Sequence, residues 1–237
     1  MTSVLIDGRM SDECERALSL HGFYPIRLPS HPSLPTAISS HPDSLIFYHH
    51  NTLIAPSEYC EIAPYVFTDI RDRHPDIKLI FSADELGEKY PLDCKMNAKI
   101  HNGRLFARQK SVSEAIKDYS QSLGYSIVNV SQGYPACSSL TFGSAAITAD
   151  AGMHKAFLSS GIDSYLVETG GISLPPYEYG FIGGASGVYK DKIYFIGDYN
   201  AHPSASVIKE AAESHGFTPV SLTDLPLTDL GGLIFLE

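Results

Sequence analysis

One cassette recurs along this chain: a strand-like run, a helix-like run that stops at a glycine, and a second strand-like run. Residues 12–21 run up to Gly22, 111–123 to Gly124, 152–160 to Gly161 and 204–215 to Gly216. A helix commonly ends in a left-handed residue, and glycine adopts that conformation without a Cβ clash. Ser11, Ser111 or Ser113, and Ser204 stand where a hydroxyl can accept from the free N–H groups of a first turn. Strand-like runs follow each glycine at 23–28, 125–130, 162–168 and 217–222, and precede each helix at 4–6, 104–107, 145–149 and 192–196.

Most of these leading runs have a partner just before them, at 97–101, 139–142 and 180–183. Asn102-Gly103 between two such runs predicts a tight hairpin, because the turn needs positive φ. Residues 45–48 and 52–55 predict another hairpin, with a helix over 58–70 and a third strand over 77–81. Pro64 is compatible with that helix only in a first turn, where its missing N–H costs nothing. The N-terminal cassette lacks its first hairpin strand, and residues 233–236 form a strand with nothing after it. Joined, the two ends complete one unit. The prediction is a closed α/β ring of five ββαβ units in a single domain spanning 1–237, each unit roughly 47 residues. The units run over 233–237 plus 1–40, then 41–90, 91–135, 136–175 and 176–232. An open α/β sheet is the competing architecture.

Composition narrows the partners. A net charge of −10 lacks the clustered basic residues of a nucleic-acid footprint. No apolar run approaches the roughly 20 residues that span a bilayer, and the N-terminus reads as a strand rather than a signal peptide. The four cysteines, Cys14, Cys60, Cys94 and Cys137, are far apart and form no CxxC pair. Free thiols and a cytoplasmic location are therefore expected. No His/Cys pairing has metal-ligand spacing, so neither a metal site nor a cofactor is expected. A small cationic ligand is the expected partner, and a homo-oligomer is compatible with the sequence.

A ring of five ββαβ units resembles the pentein fold of the guanidino-group-modifying enzymes. That superfamily contains arginine and agmatine deiminases, dimethylarginine hydrolases, amidinotransferases and a non-catalytic ribosome-maturation factor. The segment Tyr179-Gly180-Phe181-Ile182-Gly183-Gly184-Ala185 is similar to the Gly-Gly segment that opens a hairpin in those enzymes. Residues 133–203 resemble an uncharacterised bacterial family within the superfamily, in which a Cys precedes one strand and a GFIGG segment the next.

In such a ring, the segments leading into each first hairpin strand converge at one end of the axis. Here they are Pro42-Asp43-Ser44, Leu92-Asp93-Cys94, Ala136-Cys137-Ser138, Tyr177-Glu178-Tyr179 and Thr228-Asp229-Leu230. Clustered carboxylates oppose joint ionisation, so one should titrate high and could serve acid–base chemistry or grip a cation. Each Asp taken alone could equally cap a loop. The candidate catalytic groups are Cys137, Glu178 and Asp93. Asp43, Asp229, Cys94 and Asn97 are candidate ligand contacts, as are Tyr134 and Tyr179, whose rings can stack on a planar cation. Gly183 and Gly184 would let backbones approach closely at the axis.

The resemblance implies a nucleophilic Cys in the last segment and a catalytic His near residues 133–141. This sequence has Asp229-Leu230-Gly231-Gly232 in the first place and no His in the second. Cys137 is then a relocated nucleophile or a buried core thiol. His49 and His50 are expected on the opposite end of the ring, at the surface, and His41, before a proline, as an extended loop residue. The expectation is a binder of a guanidine- or amine-bearing cation, with a divergent amidino- or deiminase-type hydrolase open. A non-catalytic interaction platform is the alternative.

Overall fold

The computed structural model describes residues 1–237. It contains five three-stranded sheets, each an antiparallel pair extended by a parallel third strand. In the first unit β1 (Ser3–Asp7) leads through α1 (Asp12–Leu20) to the parallel β2 (Tyr24–Leu28). The second opens with a single turn, α2 (Pro42–Leu45), then the hairpin β3 (Phe47–His49) and β4 (Thr52–Pro56). Two helices, α3 (Ser57–Ile62) and α4 (Pro64–Arg73), carry the chain to β5 (Lys78–Ser82). The third unit holds β6 (Lys99–His101), β7 (Arg104–Ala107), α5 (Glu114–Ser122) and β8 (Ser126–Asn129).

The fourth opens with the turn α6 (Pro135–Ser138) and continues as β9 (Ser139–Phe142), β10 (Ala145–Thr148), α7 (Ala151–Ser159) and β11 (Asp163–Leu166). The fifth contains β12 (Ser186–Tyr189), β13 (Lys192–Phe195), α8 (Ala205–Ser214) and β14 (Thr218–Ser221). The last strand, β15 (Ile234–Leu236), pairs antiparallel with β1 through Val4 opposite Phe235, so the two ends build one unit as the sequence pattern predicts. A cavity of about 260 Å³ runs along the axis, with Tyr48, Ile100, Leu140, Val188 and Phe235 in its wall, one from the first strand of each unit. The five sheets therefore face a common axis, as blades of a propeller do.

Two local readings change. The single helix expected over 58–70 is two, because Pro64 cannot donate to the preceding turn and instead starts α4 at its N1 or N2 position. The strand expected at 180–183 lies at Ser186–Tyr189. Gly183 and Gly184 instead form the turn before it, pressed against the neighbouring unit. A Cβ on Gly183 would lie 2.5 Å from the Ser139 carbonyl oxygen and 2.7 Å from that of Cys137.

The helix stops are as predicted, with Gly22, Gly124, Gly161 and Gly216 all at positive φ. Ser11 and Ser113 cap their helices, accepting from Cys14 N and Ala115 N. Ser204 does not: its hydroxyl accepts from Glu168 N at 3.0 Å and ties the fifth unit to the fourth. Helices cover the outer faces of the sheets, as where Phe67 and Ile70 share one core with Leu53 and Ala55. Phe157 of α7 also meets Phe106 of the preceding unit, ring centroids 4.6 Å apart, which locks adjacent units together. No helix is long and apolar enough to cross a membrane, and all four cysteines are free thiols.

Candidate functional site

The turns that open the units do converge, and four of their side chains meet at the axis. Cys137 is held by Asn97, whose Oδ1 accepts from the backbone N–H of Ala136 at 2.8 Å and of Cys137 at 3.3 Å. Asp229 is fully buried; its Oδ2 accepts from Phe181 N at 2.8 Å and its Oδ1 from Gly231 N at 3.0 Å. These bonds aim the carboxylate at Cys137, whose Sγ lies 3.4 Å from Oδ1 and 3.3 Å from Oδ2. Gly184 makes this possible: a Cβ there would overlap Asp229 Oδ1 and lie 2.6 Å from Cys137 Sγ.

His41 completes the cluster. It precedes α2, is 1% exposed, and puts Nδ1 3.8 Å from Asp229 Oδ1 and Nε2 3.8 Å from Asp7 Oδ2. Neither ring nitrogen has a hydrogen-bond partner, and neither does Asp43 Oδ2. Its close approach requires Gly231, which has φ +69° and where a Cβ would lie 2.7 Å from His41 Cα. Donor atoms of His41, Asp43 and Cys137 fall within 4.8 Å of one another, a set able to share one soft divalent ion or a planar organic cation. No ligand spacing in the sequence reveals this trio, because its members come from two units.

Burial governs the charges. It pushes the Asp43 carboxyl up to about 7, aided by the like charge of Asp229. It raises the Cys137 thiol well above its ordinary value, with Asp229 and Asp43 adding to the effect. It lowers His41 against the opposing pull of Asp229 and Asp7, so the ring is neutral at neutral pH. Lys99 lines the axial cavity beside Asp43; burial disfavours its charge, and Asp43 and Cys137 favour it. Asp7 already has a cation, since Arg9 donates to it from Nε at 2.9 Å and from Nη2 at 2.6 Å.

A second cavity of about 420 Å³ opens above Cys137, with Tyr134, Tyr177, Tyr179 and Phe181 in its walls and Glu178 exposed at its rim. The candidate carboxylates thus go to separate partners. Asp229 faces the thiol, Glu178 stands at the rim, and Asp93 accepts from the Tyr134 hydroxyl at 2.6 Å, bracing a wall of the cavity from outside. Cys94 is buried beside the Pro91 carbonyl, and burial pushes its thiol up to about 12. Tyr90 bonds Ser111 at 2.6 Å, away from the cavity.

His50 is exposed, as expected, but His49 is half-buried at the far end of the axial cavity. His41 and Lys99 are the site residues that the sequence reading missed. The signal for His41 was its place directly before Pro42-Asp43-Ser44, one of the five converging segments.

A search of curated proteins finds no match to the sequence. Among solved structures, the chain superimposes on an inosamine-phosphate amidinotransferase from Streptomyces griseus with a TM-score of 0.58 at 12% identity, over 97% of this chain and 81% of that one. It matches an agmatine deiminase from C. jejuni with a TM-score of 0.56 at 6% identity, over 93% and 87%. The N-terminal domain of a cyanobacterial arginine dihydrolase gives 0.55 at 14% identity, over 100% and 97%. These likenesses establish the pentein fold. Residues 5–234 match the family described as Family of unknown function (DUF6873). The chain is a member of that family, built on the fold of the guanidino-group-modifying enzymes.

Proposed function

We propose that this protein binds a small molecule with a cationic guanidino or amino head above Cys137, and that the thiol attacks the guanidino carbon. The observation that carries the reading is the Cys137–Asp229 contact with His41 and Asp43 beside it, at the base of an aromatic-walled cavity. Two buried carboxylates face one thiol here, and the cation acting on Asp43 is Lys99, whose own charge burial disfavours. A ligand cation would relieve that imbalance and stabilise the thiolate in the same act. The activities named for the similar solved structures support the reading.

The chemistry balances with groups on hand. His41, neutral, takes the thiol proton as Sγ bonds to the guanidino carbon, and returns it to the departing nitrogen as the C–N bond breaks. Water or an acceptor amine then attacks the same carbon, gives its proton to His41, and expels Cys137 as the thiolate, which takes that proton back from His41 and restores the resting pair. Binding without turnover is the second reading, favoured by the burial that keeps the thiol protonated. Isothermal titration with agmatine, arginine, methylguanidine and putrescine, alongside assays for released ammonia or urea, separates the two. Wild type should bind at least one guanidine and turn it over, with C137S retaining binding alone. No binding of any of these compounds would overturn the proposal.

A further inference from the structure

The cavity above Cys137 has a one-sided lining. Its walls are aromatic and aliphatic, its neutral polar groups are Ser44, Gln132, the Cys137 thiol, three tyrosine hydroxyls and His41, which burial keeps uncharged, and its one charged side chain is Glu178. No lysine or arginine lines it. The two arginines that bond backbone next to its lining, at Ala37 beside Ile38 and at Ser131 beside Gln132, are committed there. Arg9 is tied to Asp7 and to the carbonyls of Thr36 and Ala37 at 2.7 and 2.8 Å. Arg108 donates to the Ser131 carbonyl at 3.1 Å and lies over the Tyr90 ring. Beneath the floor are Asp43 and Asp229, and Lys99 lines the axial cavity rather than this one, so the carboxylate of Glu178 is the one charge on the wall that a ligand meets.

A carboxylate on the ligand would enter this cavity with no cation to receive it, against Glu178 at the rim and two acids below. Burying an unpaired anion is costly, and like charges make it more so. An ammonium meets the opposite situation, with one carboxylate at the rim and the faces of Tyr177 and Tyr179 beside it. We propose that the ligand carries no carboxylate: its tail ends in an amine or in an uncharged apolar group, and Glu178 is the residue that selects it. This rests on the reading of the cavity as the ligand site.

Matched pairs differing only in the carboxylate test the point: agmatine against arginine, and putrescine against ornithine, titrated into wild type, E178Q and E178R. The expected result is a preference of roughly tenfold or more for the decarboxylated member in wild type. It should weaken in E178Q and shrink or invert in E178R. Glu178 is exposed, so both variants should unfold with the wild-type midpoint, which is checked alongside. Arginine or ornithine binding as tightly as its partner would overturn the inference while leaving the site standing. A wild-type preference that E178R leaves unchanged would overturn the role of Glu178. Failure of all four compounds to bind wild type would overturn both the inference and the site.

Discussion

Cys137 Sγ sits 3.3 and 3.4 Å from the two oxygens of the buried Asp229 carboxylate. A thiol there donates to the carboxylate, and losing its proton would set two anions against each other. The resting group is therefore the thiol, and the proposed attack needs an incoming cation.

With iodoacetamide at about neutral pH, the half-buried Cys60 should label well ahead of Cys137. D43N removes one of the charges that raise the Cys137 thiol, so Cys137 should label about threefold to tenfold faster than in wild type above roughly pH 8. Below about pH 6 Asp43 is protonated and the two proteins should label alike. Rates read by peptide mass spectrometry check both halves; equal rates at high pH would show that Asp43 does not act on the thiol.

Asp43 also links stability to pH. Its carboxyl titrates near 7 in the folded chain against an ordinary 3.8, so unfolding releases a proton between those values. Stability is thus greatest below the lower value and falls as pH rises through the upper one, by at most about 4 kcal/mol. D43N cannot ionise and escapes the loss. Denaturant midpoints for wild type and D43N should be close near pH 4.5 and diverge by about pH 8, with D43N the more stable.

The ring and its closure were legible because helix-stop glycines and the Asn102-Gly103 turn are local signals, each tied to a backbone conformation. Asp43, Cys137 and Asp229 could be placed together once the repeat supplied a register, and Gly183 and Gly184 fit close backbone approach. What stayed hidden depends on side-chain direction. Asp93 occupies the same register as Asp229 yet turns to Tyr134, and His41 looks like any residue before a proline until its ring is seen between Asp7 and Asp229. Lys99 lies within a strand, where one residue of register decides whether it faces the axis.

Gly184→Ala tests the packing at the axis. The new methyl has no room between Asp229 and the thiol, so the variant should lose about 2 kcal/mol or more of stability. Any folded fraction should show altered Cys137 labelling. A Gly22→Ala control, with no atom within 4 Å of the new Cβ, should lose stability through its φ of +87° alone and leave labelling unchanged.

Asp93 should prove structural. D93A and Y134F each remove the 2.6 Å bond between the two side chains and should cost about 1–3 kcal/mol. The double variant should lose less than the sum of the two. Ligand affinity should change less in D93N than in D43N; the reverse order would return Asp93 to the binding site.

The attack itself is tested most directly by acid-quenching wild type, C137S and H41N during reaction with agmatine and mapping the peptides by mass. A guanidino carbon bonded to Cys137 in wild type, formed much more slowly in H41N and absent from C137S, is the predicted result. Turnover of agmatine by C137S at the wild-type rate, or agmatine bound and converted with the Cys137 peptide unmodified throughout, would contradict it.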